Sequence, residues 1–170
     1  MVVPLQWLFT ALIAATVHEG CHIISIIMSG GTIRKVKIGL GGTQIQAEIP
    51  GTYQELICAL AGPMGSLFLL VFLHQIPNIA LCGLVQGLFN LLPIYPLDGG
   101  RIIYCSLSLW IPEYADTVAK QICKYTLITL AVLSILAFVY WKSGLIPILI
   151  TLHLTINRKK TCKQLRIGIQ

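Results

Sequence analysis

Charge is what this chain has least of. Lys, Arg, Asp and Glu make up 11% of its 170 residues, and only six are acidic. Soluble domains carry about 25% charged residues, so an ordinary water-exposed globular domain is excluded. Paired cysteines are also missing. The six present (Cys21, Cys58, Cys82, Cys105, Cys123, Cys162) stand singly in apolar segments with no CxxC. That excludes a disulfide framework and a thiolate zinc site, and leaves them as small buried hydrophobes. No basic stretch followed by a small-residue cleavage site opens the chain, so its first apolar run does not read as a removable signal peptide. There is no internal repeat and no low-complexity tract. Basic residues are not interleaved with aromatics, so the net charge of +6 does not read as nucleic-acid binding.

What the chain has instead is long hydrophobic runs, with 56% hydrophobic residues and a mean hydropathy of +0.82. The length accommodates one helical membrane domain. A spanning helix needs about 20 mostly apolar residues. Leu5 to Met28 supplies one, ended by Ser29-Gly30-Gly31. Tyr53 to Leu73 supplies a second and Asn78 to about Tyr95 a third, separated by HQIPN. Thr117 to Trp141 supplies a fourth, and the shorter Gly144 to Ile156, with Pro147 inside it, a fifth. Asp98 to Trp110 reads as a helix starting at the membrane edge. The exception is TIRKVKIGLGGTQIQAEI. There Val36, Ile38 and Leu40 alternate with Lys35, Lys37 and Gly39, and Ile45, Ala47 and Ile49 alternate with polar residues after a Gly-Gly turn. A period of two on both sides of a glycine turn predicts a hairpin, at about 33–49. The fold class expected is therefore an all-α polytopic membrane protein of about five transmembrane helices, with one short β-hairpin after the first.

The charges orient this arrangement. With the N-terminus outside and five spans, the inner segments carry Arg34, Lys35, Lys37, Arg101, Lys120, Lys124 and Arg158, Lys159, Lys160, Lys163 and Arg166. The outer segments carry only Lys142, the last of the twelve basic residues. Such asymmetry puts the C-terminus in the cytoplasm. The expected organisation is a membrane domain over 1–157 and a basic cytoplasmic tail over 158–170, which reads as a flank for the lipid bilayer.

Within the first apolar run lies VHEGCH. His18 and His22 are four residues apart and project from one helix face, with Glu19 beside them. This is the HExxH arrangement, in which two imidazoles bind zinc and the glutamate handles protons on the metal-bound water. Ionisable groups in a spanning helix are rare and usually functional; the bland reading is a polar helix-packing cluster. Seven residues separate His22 from Ser29, which places the histidines roughly 10 Å below the cytoplasmic surface. Catalytic zinc generally takes three protein ligands and a water. Asp98 is the obvious third, after NLLPIYP, where Pro93 and Pro96 break the third span. It reads equally well as the N-cap of the next helix. His74 and His153 sit at span ends and read as interfacial. Cys21 reads as soft packing near the histidines.

Together HEGCH, AGPMGS (Ala61 to Ser66) and FNLLPIYPLDGGR (Phe89 to Arg101) resemble the site-2 protease family of intramembrane zinc metalloproteases, peptidase family M50. Within that family the likeness is to the stage IV sporulation protease FB type. The resemblance covers roughly residues 5 to 157. It implies a site-2 protease core with one zinc ion per chain, held by His18, His22 and Asp98. It implies Glu19 as catalytic base and Asn90 as a residue that holds substrate or the reacting carbonyl. It further implies a multi-pass protein of the bacterial cell membrane that cleaves a membrane-associated or transmembrane protein near the cytoplasmic side. A sigma-factor precursor in sporulation is one such substrate, with an inhibitory membrane partner as restraint. Members of that type commonly carry another span before the HExxH helix and a CBS domain after the last span; neither is among these 170 residues.

On this reading the chain is a zinc metalloprotease that works by regulated intramembrane proteolysis. The alternative is a non-catalytic zinc-binding pseudoprotease with a regulatory role, against which the retention of Glu19 argues. A metal transporter would need several ligand clusters along a path, whereas the ionisable residues here converge on one place. Two further features invite a reading. The hairpin could offer a strand edge to an unwound substrate or be a simple surface hairpin, and Gly62-Pro63 and Gly65 allow close helix approach.

Overall fold

The computed structural model describes residues 5–39, 42–141 and 146–165. Residues 40–41 of the expected hairpin, Lys142, the start of the fifth expected span at Gly144 and the end of the basic tail, with Arg166, lie outside the described residues. The chain divides into two compact units, Met1–Leu91 and Leu92–Gln170.

The first unit begins with helix α1, Leu5–Met28, about 36 Å long at 1.5 Å per residue. Glycine ends it. Gly30 has φ 73°, the left-handed conformation that glycine adopts without steric cost. There the Gly30 N–H reaches the Ile27 carbonyl at 3.1 Å and the Gly31 N–H reaches that of Ile26 at 2.9 Å. This pair of bonds is a Schellman closure, and it satisfies carbonyls the helix end would otherwise leave bare.

The hairpin follows, with β1 at Thr32–Gly39 and β2 at Gly42–Glu48. The strands are antiparallel with Val36 opposite Ile45, and an irregularity between Ile33 and Lys35 sets Arg34 outside the regular register. Arg34 and Glu48 form an exposed ion pair at 2.6 Å, which contributes little to stability in water.

Helix α2, Thr52–Phe68, runs on into a 3₁₀ turn at Leu69–Phe72, and α3 occupies Pro77–Asn90. Proline at the first position of α3 suits a site whose N–H has no partner in any case. In α2, Pro63 lies inside the helix and withholds the N–H that would bond the Ala59 carbonyl. Among these helices α2 is the central one: 39% of its apolar window is buried, against 22% for α1. It packs against both α1 and α3.

The second unit contains α4, Asp98–Trp110, α5, Ala115–Trp141, and α6, Ile146–Leu165. Its core is built from Ile94, Cys123, Leu127 and Leu154, with Leu92, Leu97 and Leu130 packed around them. Ser134 of α5 and Thr151 of α6 are buried and 3.5 Å apart. Thr151 donates its hydroxyl to the Pro147 carbonyl at 2.7 Å.

Among the described residues, three helices are long and apolar enough to cross a membrane: Leu5–Met28, Thr52–Phe72 and Ala115–Tyr140. The apolar part of α6, Pro147–Ile156, is shorter. Helix α3 also falls short of the span read from the sequence, ending at Asn90 instead of near Tyr95. Hydropathy continues past that point, but the backbone does not. Pro93 and Pro96 have no N–H to donate, and Ile94 and Leu97 instead close turns onto Leu92 and Ile94 at 2.7 and 2.8 Å. The Tyr95–Pro96 peptide is cis.

Candidate metal centre

Helix α1 buries one stripe, Ala14, His18, His22 and Ile26. These are positions four apart, which fall on one face of an α-helix. His18 is 2% exposed and His22 6%, so both imidazoles are removed from water and need polar partners. Their ring centroids are 4.9 Å apart in an edge-to-face arrangement. Glu19, one residue on, is half-buried.

Each imidazole is held through the nitrogen nearer the backbone. His22 Nδ1 lies 2.7 Å from the carbonyl oxygen of Cys58 on α2. A carbonyl only accepts, so Nδ1 carries the hydrogen and Nε2 keeps its lone pair. His18 Nδ1 lies 2.8 Å from Ser66 Oγ, also on α2. Such partners orient metal-binding histidines and settle which nitrogen is left for the ion. Two buried imidazoles oriented in this way are of the donor type that zinc takes.

Helix α2 can supply these partners because it comes very close to α1. A Cβ on Gly62 would fall closer than 3.0 Å to the His22 ring, and one on Gly65 would collide with Cys21 Sγ. Glycine at 62 thus lets the imidazole lie against the α2 backbone. Farther along the same seam, Cys58 is 1% exposed. Its thiol is met by the hydroxyls of Ser25 at 3.5 Å and Ser29 at 3.6 Å.

Asp98 is the first residue of α4 and is buried. The N-cap position belongs to Leu97, which has no side-chain cap bond, so Asp98 is not the cap that its place before Gly99-Gly100 suggests. A carboxylate in the first turn still gains from the helix dipole. The backbone of Gly100 passes so close to Ile94 and Tyr95 that a Cβ there would lie 2.8 Å from each, which fixes the turn leading into Asp98. Asp98 thus offers a buried carboxylate at the start of α4, and His18 and His22 offer two buried imidazoles on α1.

Asn90 is the last residue of α3, half-buried, with Nδ2 donating to the Gln86 carbonyl at 3.2 Å. His74 and His153 are exposed. Cys21 is partly buried with its sulfur in the space Gly65 leaves open. The partners of the histidines, Ser66 and the Cys58 carbonyl, were not legible as such in the sequence. Ser66 stands at the end of AGPMGS, but nothing in its spacing points to His18.

No family model matches the chain, and none of the curated proteins compared matches it. Among solved structures it is similar to the Site-2 Protease from Methanocaldococcus jannaschii, with a TM-score of 0.73 and 23% sequence identity. The likeness covers 95% of this chain and 80% of that one. At that identity the resemblance is one of fold: a helical frame with a two-stranded hairpin after its first helix.

Proposed function

We propose that this chain is an intramembrane zinc metalloendopeptidase of the site-2 protease type, acting on a membrane-associated or transmembrane protein near the cytoplasmic side. The observation that carries the reading is the burial of both HExxH imidazoles on one face of α1, each engaging a partner on α2 through Nδ1. Asp98 is proposed as the third ligand and one zinc ion per chain as the cofactor.

When bound, zinc supplies an acidified water and a polarised scissile carbonyl. The remaining steps belong to the chain. Glu19, next to His18 on α1, takes the proton of the attacking water on its carboxylate and passes it to the leaving amine nitrogen. The Asn90 amide is proposed to hold the substrate carbonyl as negative charge develops on its oxygen. A substrate helix must unwind to present that carbonyl, and the open edges of the hairpin provide strand pairing for the unwound segment.

The wider setting follows the same reading. The distribution of basic residues supports five spans with a cytoplasmic C-terminus and 1–157 as the protease domain ahead of the basic tail; a bacterial membrane rests on the motif resemblance. A sigma-factor precursor as substrate and an inhibitory membrane partner rest on the motif resemblance.

The experiment is metal analysis of purified wild type, Asp98→Ala and Glu19→Gln, paired with cleavage of a model sigma-factor precursor co-expressed in the same membranes. Near-stoichiometric zinc in wild type and in Glu19→Gln, a marked loss in Asp98→Ala, and product from wild type alone are expected. Glu19→Gln should lower kcat by about 10²–10⁴-fold. Cleavage retained by Glu19→Gln, or no zinc in folded wild type, overturns the reading.

A further inference from the structure

Resting on the proposal that His18 and His22 bind a metal ion, we infer that Ser66 is a positioning residue, whose buried hydroxyl sets the tautomer of His18 and thereby the metal affinity of the site.

Hydroxyls elsewhere in this molecule follow a common pattern. A serine or threonine inside a helix commonly donates to the carbonyl four residues earlier on its own helix. Thr16, Thr126, Thr129, Thr151 and Thr155 all do so, at 2.7–3.0 Å. Ser66 also sits inside a helix and is 0% exposed, yet its hydrogen bond crosses to the neighbouring helix and ends on His18 Nδ1 at 2.8 Å. Its position is backed from the other side by α3, where a Cβ on Gly87 would meet the Ser66 Cβ at 3.1 Å. The hydroxyl is thus held between α3 and the imidazole.

The two histidines are held by chemically different partners. The carbonyl facing His22 accepts and does nothing else, so that ring has one permitted tautomer. A serine hydroxyl both donates and accepts. If Ser66 donates to His18 Nδ1, the ring proton moves to Nε2, and that nitrogen has no lone pair for a metal. If Ser66 accepts, Nδ1 holds the proton and Nε2 is ready. Metal binding at His18 therefore selects the accepting orientation of Ser66, and removal of the hydroxyl removes both the orientation and the choice.

The test compares purified full-length wild type, Ser66→Ala and Thr10→Ala in detergent. Zinc affinity is read by competition with a chromophoric chelator, the ligand field by the visible absorption of the Co²⁺-loaded protein, and the metal-free fold by its thermal midpoint. Thr10 serves as control because its hydroxyl faces Cys82 at 3.5 Å, two turns from the histidines along α1. Outer-shell partners typically account for about 10–100-fold in metal affinity, so Ser66→Ala should bind zinc that much more weakly and show a displaced Co²⁺ band. Its metal-free midpoint should fall modestly, as the loss of one buried hydrogen bond requires, with the protein still folded, and Thr10→Ala should keep the wild-type zinc affinity and Co²⁺ spectrum. Should Ser66→Ala not fold, Ser66→Cys, which keeps the volume and offers only a weak acceptor, carries the same expectation. Zinc affinity and Co²⁺ spectrum equal to wild type in the folded variant overturn the role of Ser66 while leaving the metal site standing. Absence of zinc binding by folded wild type overturns both.

Discussion

Helices α1 and α5 are built on the same geometric plan and filled differently. Each is long and apolar enough to cross a membrane, and each buries a stripe at intervals of four: Ala14, His18, His22, Ile26 in one, and Ala115, Ala119, Cys123, Leu127 in the other. The stripe on α5 is what packing alone asks for, three small residues and a leucine that need no polar partner. The stripe on α1 begins with alanine and ends with isoleucine in the same way, but two imidazoles fill its middle. Burying such groups away from water costs free energy unless each finds a partner, and an alanine or leucine would pack there at no such cost. Helical geometry explains where the two stripes run. It does not explain the histidines, and that residue of unexplained cost is the sign of chemistry.

The comparison breaks most completely at His22. His22→Ala should reduce zinc from near-stoichiometric to background and abolish cleavage, with metal analysis as the check. Leu127→Ala, at the matching end of the α5 stripe, should destabilise the fold by about 2–5 kcal/mol yet leave the zinc content of the folded fraction unchanged. Zinc loss in both variants would mean that the metal reports general packing rather than a built site. A smaller effect should follow Gly62→Ala, whose Cβ enters the space of the His22 ring. Overpacking of this kind costs about 1–3 kcal/mol, and here it should appear together with weakened zinc binding in the chelator competition. The mildest change is Thr151→Val on α6. Hydrogen bonds between membrane helices average about 0.6 kcal/mol, so a loss of that order in unfolding experiments, with cleavage and zinc untouched, is expected.

Periodic features were legible in the sequence. Leu5–Met28 and Asp98–Trp110 have the bounds that hydropathy and glycine placement suggest, and the hairpin occupies 32–48 against an expected 33–49. Helix α3 stops short of its hydropathy run because such a run measures affinity for an apolar phase, whereas a helix also needs backbone donors, and Pro93 and Pro96 withhold them. Asp98 looked like a cap because the eye finds the polar residue before two glycines; the helix in fact starts on it, one position later in register than a cap. His18, Glu19 and His22 could be singled out because spacing along one helix is a local property. The Ser66 and Cys58 partners could not. They lie 48 and 36 residues from the histidines they hold, and the register that brings them there depends on how closely Gly62 and Gly65 let α2 approach. Pairings of that kind belong to the packed structure and leave no period behind.

One hydrogen bond has a consequence for how this chain can vary. The partner of His22 is a main-chain oxygen of Cys58, and every amino acid carries that oxygen. No codon change at position 58 can delete it. A saturation-mutagenesis map would therefore register the hydroxyl at 66 and remain blind to the carbonyl at 58, even though each atom meets the Nδ1 of a neighbouring ring. Only on the His18 side can a substitution delete the contact outright; the His22 contact is inherited with the helix itself and yields only to changes that shift its neighbours, as at Gly62.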